Sequence, residues 1–311
     1  MYTGVVRGVL AALLATGLAL MASGCAAFTS TPHRADGKLD VVAAFYPLQF
    51  VAQQVGGDRV DVTDLVQPGV EPHDLELTPR QVASVVDADA VLYLRDFQPA
   101  VDSAVAEAKK RKTLDVSTVT SQHDGYVPVE DGKAQQKEKG KDPHVWLDPT
   151  RMVRIADAVA KKLAAVDPAH ATEYTANARA LAGKLATLDS QYQTGLASCA
   201  RKTIVVSHNA FGYLAERYGL NQVPITGLTP DEEASATRLA EVATYAEKNG
   251  VTVIFFETLV SPKIAKALAR EVGAKAEVLD PIEGIAKDSG ADYFTVMRSN
   301  LTTLRSALSC Q

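Results

Sequence analysis

The sequence predicts an α/β protein of two lobes, each with a mostly parallel sheet, linked by a long backbone helix. Three observations predict it. Short β-branched runs alternate with segments of 3.6-residue apolar spacing from Leu39 onward. The alternation breaks off between Ser117 and Asp142 and returns after Cys199. An Ala-rich helical stretch separates the two sets.

In the first set the expected strands are Val41–Phe45, Asp61–Val66, Ala90–Leu94 and Thr113–Val116. Helical spacing follows at Pro79–Val86 and Pro99–Lys110. The run Gln135-Gln136-Lys137-Glu138-Lys139-Gly140-Lys141 has no apolar residue and reads as a surface loop within 117–141. Asp148-Pro149-Thr150 starts a helix, with Asp as cap and Pro in the first turn. That helix breaks at Asp167-Pro168. The next runs to Ser198, with Leu181, Leu185 and Leu188 on one face; thirty residues would span about 45 Å. In the second set the strands are Thr203–Ser207, Val223–Thr226, Val251–Phe256 and Ala276–Leu279, and Asp292–Leu308 closes as a helix.

With 311 residues, 47% hydrophobic and 22% charged, the chain can bury a sizeable core. Its net charge of −5 argues against nucleic acid, which calls for basic surfaces. Membrane attachment is read from the N-terminus instead. Arg7 precedes an apolar run, Leu10 to Ala22, too short to span a bilayer and laid out like a signal peptide. Ala22-Ser23-Gly24-Cys25 resembles a lipobox, so Cys25 is the expected lipidation site. The small and polar residues after it read as a tether. The organisation is therefore signal peptide 1–24, tether 25–38, first lobe 39–168, linking helix 169–198 and second lobe 199–311. The remaining cysteines, Cys199 and Cys310, form an even pair in an exported chain. That suggests one disulfide, with free thiols or a zinc pair as the alternatives.

Six histidines occur. His33 lies in the tether, His123 in the polar loop and His170 at a helix start, where solvated or capping roles suit them. His73 sits in the loop after the second strand, His144 between the polar loop and a helix, and His208 just past Thr203–Ser207. Asp280 ends Ala276–Leu279. Open parallel sheets bind ligands beyond the carboxyl ends of their strands, so these four are expected to meet in the cleft between lobes. Three imidazoles and a carboxylate suit Zn²⁺, whereas Mn²⁺ favours more oxygen donors. Glu257 ends Val251–Phe256 and is expected to orient a histidine or to serve as an alternative ligand; Glu71 is a weaker rival for the fourth position.

The segments Phe45-Tyr46-Pro47-Leu48, Gly69-Val70-Glu71-Pro72-His73-Asp74-Leu75-Glu76, Asp142-Pro143-His144-Val145-Trp146-Leu147-Asp148-Pro149, Val206-Ser207-His208-Asn209-Ala210-Phe211-Gly212-Tyr213 and Leu279-Asp280-Pro281 carry a resemblance. Together they resemble the zinc-binding members of the metal-specific solute-binding proteins of ABC transporters. The resemblance implies metal ligation at His73, His144, His208 and Asp280, with Glu in place of His208 in manganese-specific relatives. It implies two lobes on a backbone helix and a monomer at the extracytoplasmic face of a bacterial membrane, passing Zn²⁺ to an ABC permease. The chain departs from many zinc-specific relatives in lacking a His-rich insert over Ser117–Lys141, where only His123 occurs. Other readings are Mn²⁺ or Fe²⁺ transport on the same fold, cell adhesion through lipid display, and a zinc hydrolase with an open fourth position. No HExxH motif supports the hydrolase.

Overall fold

The computed structural model describes residues 37–124, 140–286 and 289–311. The expected signal peptide, Cys25 and most of the tether and polar loop lie outside the described residues. Residues 38–311 form a compact unit holding two four-stranded sheets, every pairing parallel. The first comprises β1 (Leu39–Ala43), β2 (Val60–Asp64), β3 (Ala90–Tyr93) and β4 (Thr113–Asp115) in the order β2-β1-β3-β4. The second comprises β5 (Thr203–Val206), β6 (Asn221–Pro224), β7 (Val253–Phe256) and β8 (Lys275–Val278) in the order β6-β5-β7-β8. The two orders are the same, a structural repeat with no counterpart in the residues themselves.

Around the first sheet run α1 (Tyr46–Gly56), α2 (Pro79–Asp87) and α3 (Pro99–Glu107). All three carry Pro in the first turn, where a missing N–H costs nothing. At α2, Thr78 and Gln81 complete a capping box. The next helix, α4 (Pro149–Val166), starts where the sequence places it, with the Asp148 side chain accepting from the Thr150 N–H. Around the second sheet run α6 (Gly212–Tyr218), α7 (Ala236–Lys248), α8 (Lys263–Glu271) and α9 (Tyr293–Ala307).

The linking helix is α5 (Ala171–Ala197). Its 27 residues span about 40 Å. Leu181, Leu185, Leu188, Tyr192 and Leu196 are buried along one face, which packs against α4, α1 and α9. The hydroxyl of Tyr192 donates to the Met297 carbonyl at 2.7 Å, fixing α9 to this helix. One large apolar cluster runs from the first sheet through α4 and α5 into β5, β7 and α9. A smaller one lies between β5–β7 and α7–α8.

Seven of the eight strands end one or two residues earlier than the β-branched runs alone suggest; β7 ends at Phe256, as expected, but begins two residues late. At β1 the cause is local: Phe45 is extended and caps α1, so Ala44 and Phe45 leave the strand. Beyond the ends of β2, β5, β7 and β8 lie His73, His208, Glu257 and Glu283.

Cys199 and Cys310 are bridged, with Cα atoms 3.8 Å apart. The bond joins the exit of α5 to the residues just after α9, across 111 residues of sequence. Closing a loop of that size restricts the unfolded chain by about 2–5 kcal/mol. Denaturant unfolding of the paired C199S/C310S variant is expected to show a loss of that order, and added reductant should reproduce it in the native chain.

Candidate metal centre

Four side chains from separate stretches of the chain meet between the two sheets. They are His73 in the loop after β2, His144 before α4, His208 just past β5, and Glu283 in the turn after β8. One donor atom from each lies within 4.8 Å of all the others. Glu283 Oε1 stands at the centre: 2.9 Å from His144 Nε2, 3.2 Å from His208 Nε2 and 3.3 Å from His73 Nε2. The Nε2 atoms of His144 and His208 are 3.2 Å apart. A tetrahedral ion with bonds of about 2.0–2.1 Å separates its donors by about 3.3 Å. His144 and His208 are fully buried, Glu283 is 1% exposed and His73 8%.

Aromatic rings wall this cluster off from water. Phe97 meets the His73 ring edge-on at 4.7 Å, and Trp146 lies 5.3 Å from His144. Phe45 packs against both Phe97 and Trp146. Trp146 donates through Nε1 to the Pro281 carbonyl at 2.7 Å, and Tyr293 donates to the Trp146 carbonyl at 2.7 Å. The first bond locks the His144 segment to the turn that carries Glu283, the second to the start of α9.

Asp280, the expected fourth donor, is not in the cluster. Its carboxylate is occupied in making the turn: one oxygen accepts from the Ile282 N–H at 2.7 Å and the other from the Thr258 hydroxyl at 2.8 Å. Asn300 holds its backbone on both sides. Ile282, with φ of +58°, redirects the chain, and Glu283 enters the site from the next position. An acidic residue between Ile282 and Gly284, in an otherwise apolar stretch, was the available sequence signal.

The two other acidic candidates divide. Glu257 Oε1 lies 2.6 Å from His208 Nδ1 and also accepts from the Ser207 hydroxyl, so it holds the imidazole from behind. Glu71 accepts from the His73 backbone N–H at 3.0 Å, and its carboxylate stays 4.0 Å from His73 Nε2. Burial and the charge of Glu283 push the Glu71 carboxyl up to about 9, so it is protonated at neutral pH.

Burial would raise Glu283, but the charge of His208 and hydrogen bonds from all three imidazoles hold it well below the usual carboxylate value. Burial likewise opposes charge on His208 and His144. The carboxylates of Glu257 and Glu283 overcome it at His208, and Asp142 and Glu283 at His144, so both are raised. At His73 burial wins and the value is lowered. The surrounding carboxylates thus favour the charged form of His208 and His144, and burial the neutral form of His73. Two oxygens, Glu283 Oε2 and Glu257 Oε2, are buried without a partner, and a divalent ion suits this donor set.

Fold and site together define a two-lobed binding protein with a buried nitrogen-rich metal centre. The chain belongs to the family of the periplasmic zinc-uptake complex component A, whose model matches residues 41–307. A zinc-binding protein AdcA of Streptococcus pyogenes is 38% identical over 292 residues, covering 87% of this chain and 56% of the relative. The chain therefore spans about half the length of that relative. The high-affinity zinc uptake system protein ZnuA of Bacillus subtilis is 36% identical over 296 residues, covering 90% of this chain and 92% of that one. The crystal structure of the Zn(II)-bound ZnuA-like domain of Streptococcus pneumoniae AdcA superposes with a TM-score of 0.72. Identity is 35%, over 88% of this chain and 99% of that one.

The shifts predict how the metal-free protein titrates. His208 and His144 are raised above 6.5, so their contribution to stability is complete below 6.5 and is lost as pH rises through their folded values. His73 is lowered and acts oppositely: its contribution is present above 6.5 and lost as pH falls through its folded value. Histidine NMR titration of the metal-free chain is expected to show His73 deprotonating below 6.5 and His208 above it.

Proposed function

We propose that this protein is an extracytoplasmic solute-binding lipoprotein that captures Zn²⁺ at His73, His144, His208 and Glu283 and delivers it to an ABC importer permease. The observation that carries the reading is the convergence of three imidazole Nε2 atoms on one buried carboxylate oxygen. Zn²⁺ accepts nitrogen and oxygen donors in a tetrahedron and needs no water to complete it. Three neutral imidazoles and one carboxylate leave a bound ion about one positive charge, and buried Glu257 and Asp142 lie directly behind two of the rings to balance it. Family membership and the Zn(II)-bound neighbour support zinc as the cargo.

Delivery rather than catalysis fits a closed set of four donors, since zinc hydrolysis needs an open position for water. Attachment to the membrane is proposed through Cys25 after cleavage at Gly24. No helix among the described residues is long and apolar enough to cross a membrane. The stiff α5 suggests that release shifts loops and tilts one lobe slightly, without a wide hinge.

Protons compete with the metal. Zn²⁺ must displace them from His144 and His208, so affinity is expected to fall as pH drops, beginning above 6.5. Native mass spectrometry with competing Zn²⁺ and Mn²⁺ tests the assignment. One Zn²⁺ per chain is expected, with H208A and E283Q each weakening it by more than the about 10–100-fold that loss of an outer partner costs. D280N should still take up one Zn²⁺. Preferential retention of Mn²⁺ would overturn the zinc reading, and normal affinity in E283Q would remove Glu283 from the donor set.

A further inference from the structure

Asp142 lies two residues before His144 and is 2% exposed. Its Oδ1 accepts from the backbone N–H of His144 at 2.9 Å and lies 2.8 Å from the ring Nδ1. A carboxylate can only accept, so a ring proton belongs on Nδ1, and in the neutral ring the Nε2 lone pair faces the centre of the site. The same arrangement recurs at His208, where Glu257 meets Nδ1 at 2.6 Å. His73 differs: both its contacts with carboxylates, to Glu71 and Glu283, are made by Nε2.

Asp142 is itself held from the other half of the molecule. Its backbone carbonyl accepts from the Tyr213 hydroxyl at 2.8 Å and from Gln122 Nε2 at 3.2 Å. That Tyr213 oxygen in turn accepts from the His123 N–H at 2.9 Å. Gly212, the first residue of α6, faces the carboxylate directly. A Cβ there would stand 2.8 Å from Asp142 Oδ2, closer than side chains approach. The carboxylate therefore sits between the His144 ring and the start of α6.

We infer that Asp142 is a positioning residue for the metal centre: from its seat against Gly212 it fixes the orientation and tautomer of His144, as Glu257 does for His208. This rests on the metal-capture reading above. Its consequence is that two of the three nitrogen donors are preset before the ion arrives by a carboxylate at Nδ1, whereas the carboxylate contacts of His73 are made by Nε2. Contact between α6 and the Asp142 segment then becomes a determinant of metal affinity, although no residue of α6 touches the ion site.

The test compares wild type with D142A, which removes the acceptor, and D142N, which keeps an acceptor oxygen without charge. Neither change touches the Tyr213 bond, which is made to the Asp142 backbone. Zn²⁺ affinity is measured by competition with a chelator, and Co²⁺ is substituted to read coordination from its visible bands. D142A is expected to weaken Zn²⁺ by about 10–100-fold and to alter the Co²⁺ spectrum, with D142N between it and wild type. G212A, which crowds the carboxylate, should shift the spectrum in the same sense. If D142A does not fold, D142N and G212A carry the same comparison. Wild-type affinity and spectrum in these variants would overturn the inference and leave the zinc site standing. A wild-type chain that holds no Zn²⁺ would overturn both.

Discussion

A buried carboxylate surrounded by three imidazoles is the interaction on which this molecule turns. Glu283 is almost without solvent, and its charge is tolerable only because positive or polarised groups surround it. The rings of His208 and His144, both shifted toward their charged forms, face it. In the proposed zinc-capture reading, a divalent cation takes the place of ring protons at this carboxylate. The site is thus built for exchange between protons and an ion, and its buried carboxylates set the terms of that exchange.

Holding such a cluster together demands stiffness from the rest of the fold. Each donor leaves a loop or turn at the carboxyl edge of a parallel sheet, where the chain is least regular. The two sheets share the same strand order, so each offers its loops at equivalent places. α5 packs against helices of both halves. The bond from Trp146 to Pro281 ties the His144 segment to the Glu283 turn, and that from Tyr293 to Trp146 ties it to α9. The aromatic wall of Phe45, Phe97 and Trp146 thus has two roles, excluding water and aligning the chain segments that bear donors.

Much of this was legible in the residues. Alternating apolar runs marked all eight strands, with ends off by at most two residues, because strand termination depends on capping and turn bonds that hydrophobicity does not encode. The spine was visible from its uninterrupted Ala-rich pattern and the Asp167-Pro168 break. His73 and His208 stood out through their positions after strands, and His144 through its place between the polar loop and a helix. The fourth donor did not. Asp280 occupies the strand end, where a ligand is expected, but local hydrogen bonds to Ile282 and Thr258 use up its oxygens. Only the left-handed backbone of Ile282, a feature set by packing, carries Glu283 inward. Asp142 was hidden for a similar reason: its role depends on Gly212 and Tyr213, seventy residues away, and nothing local announces them.

The bond between Cys199 and Cys310 makes the second half of the molecule a covalent ring, entered and left at one point. A single cut by an extracellular protease anywhere inside that ring would produce no separate piece. Both strands of the nicked segment would stay fastened to α5, with β5 to β8 still tethered side by side. For a protein proposed to work outside the cell, damage in the exposed loops of that half becomes survivable, since the pieces remain close enough to keep their pairing.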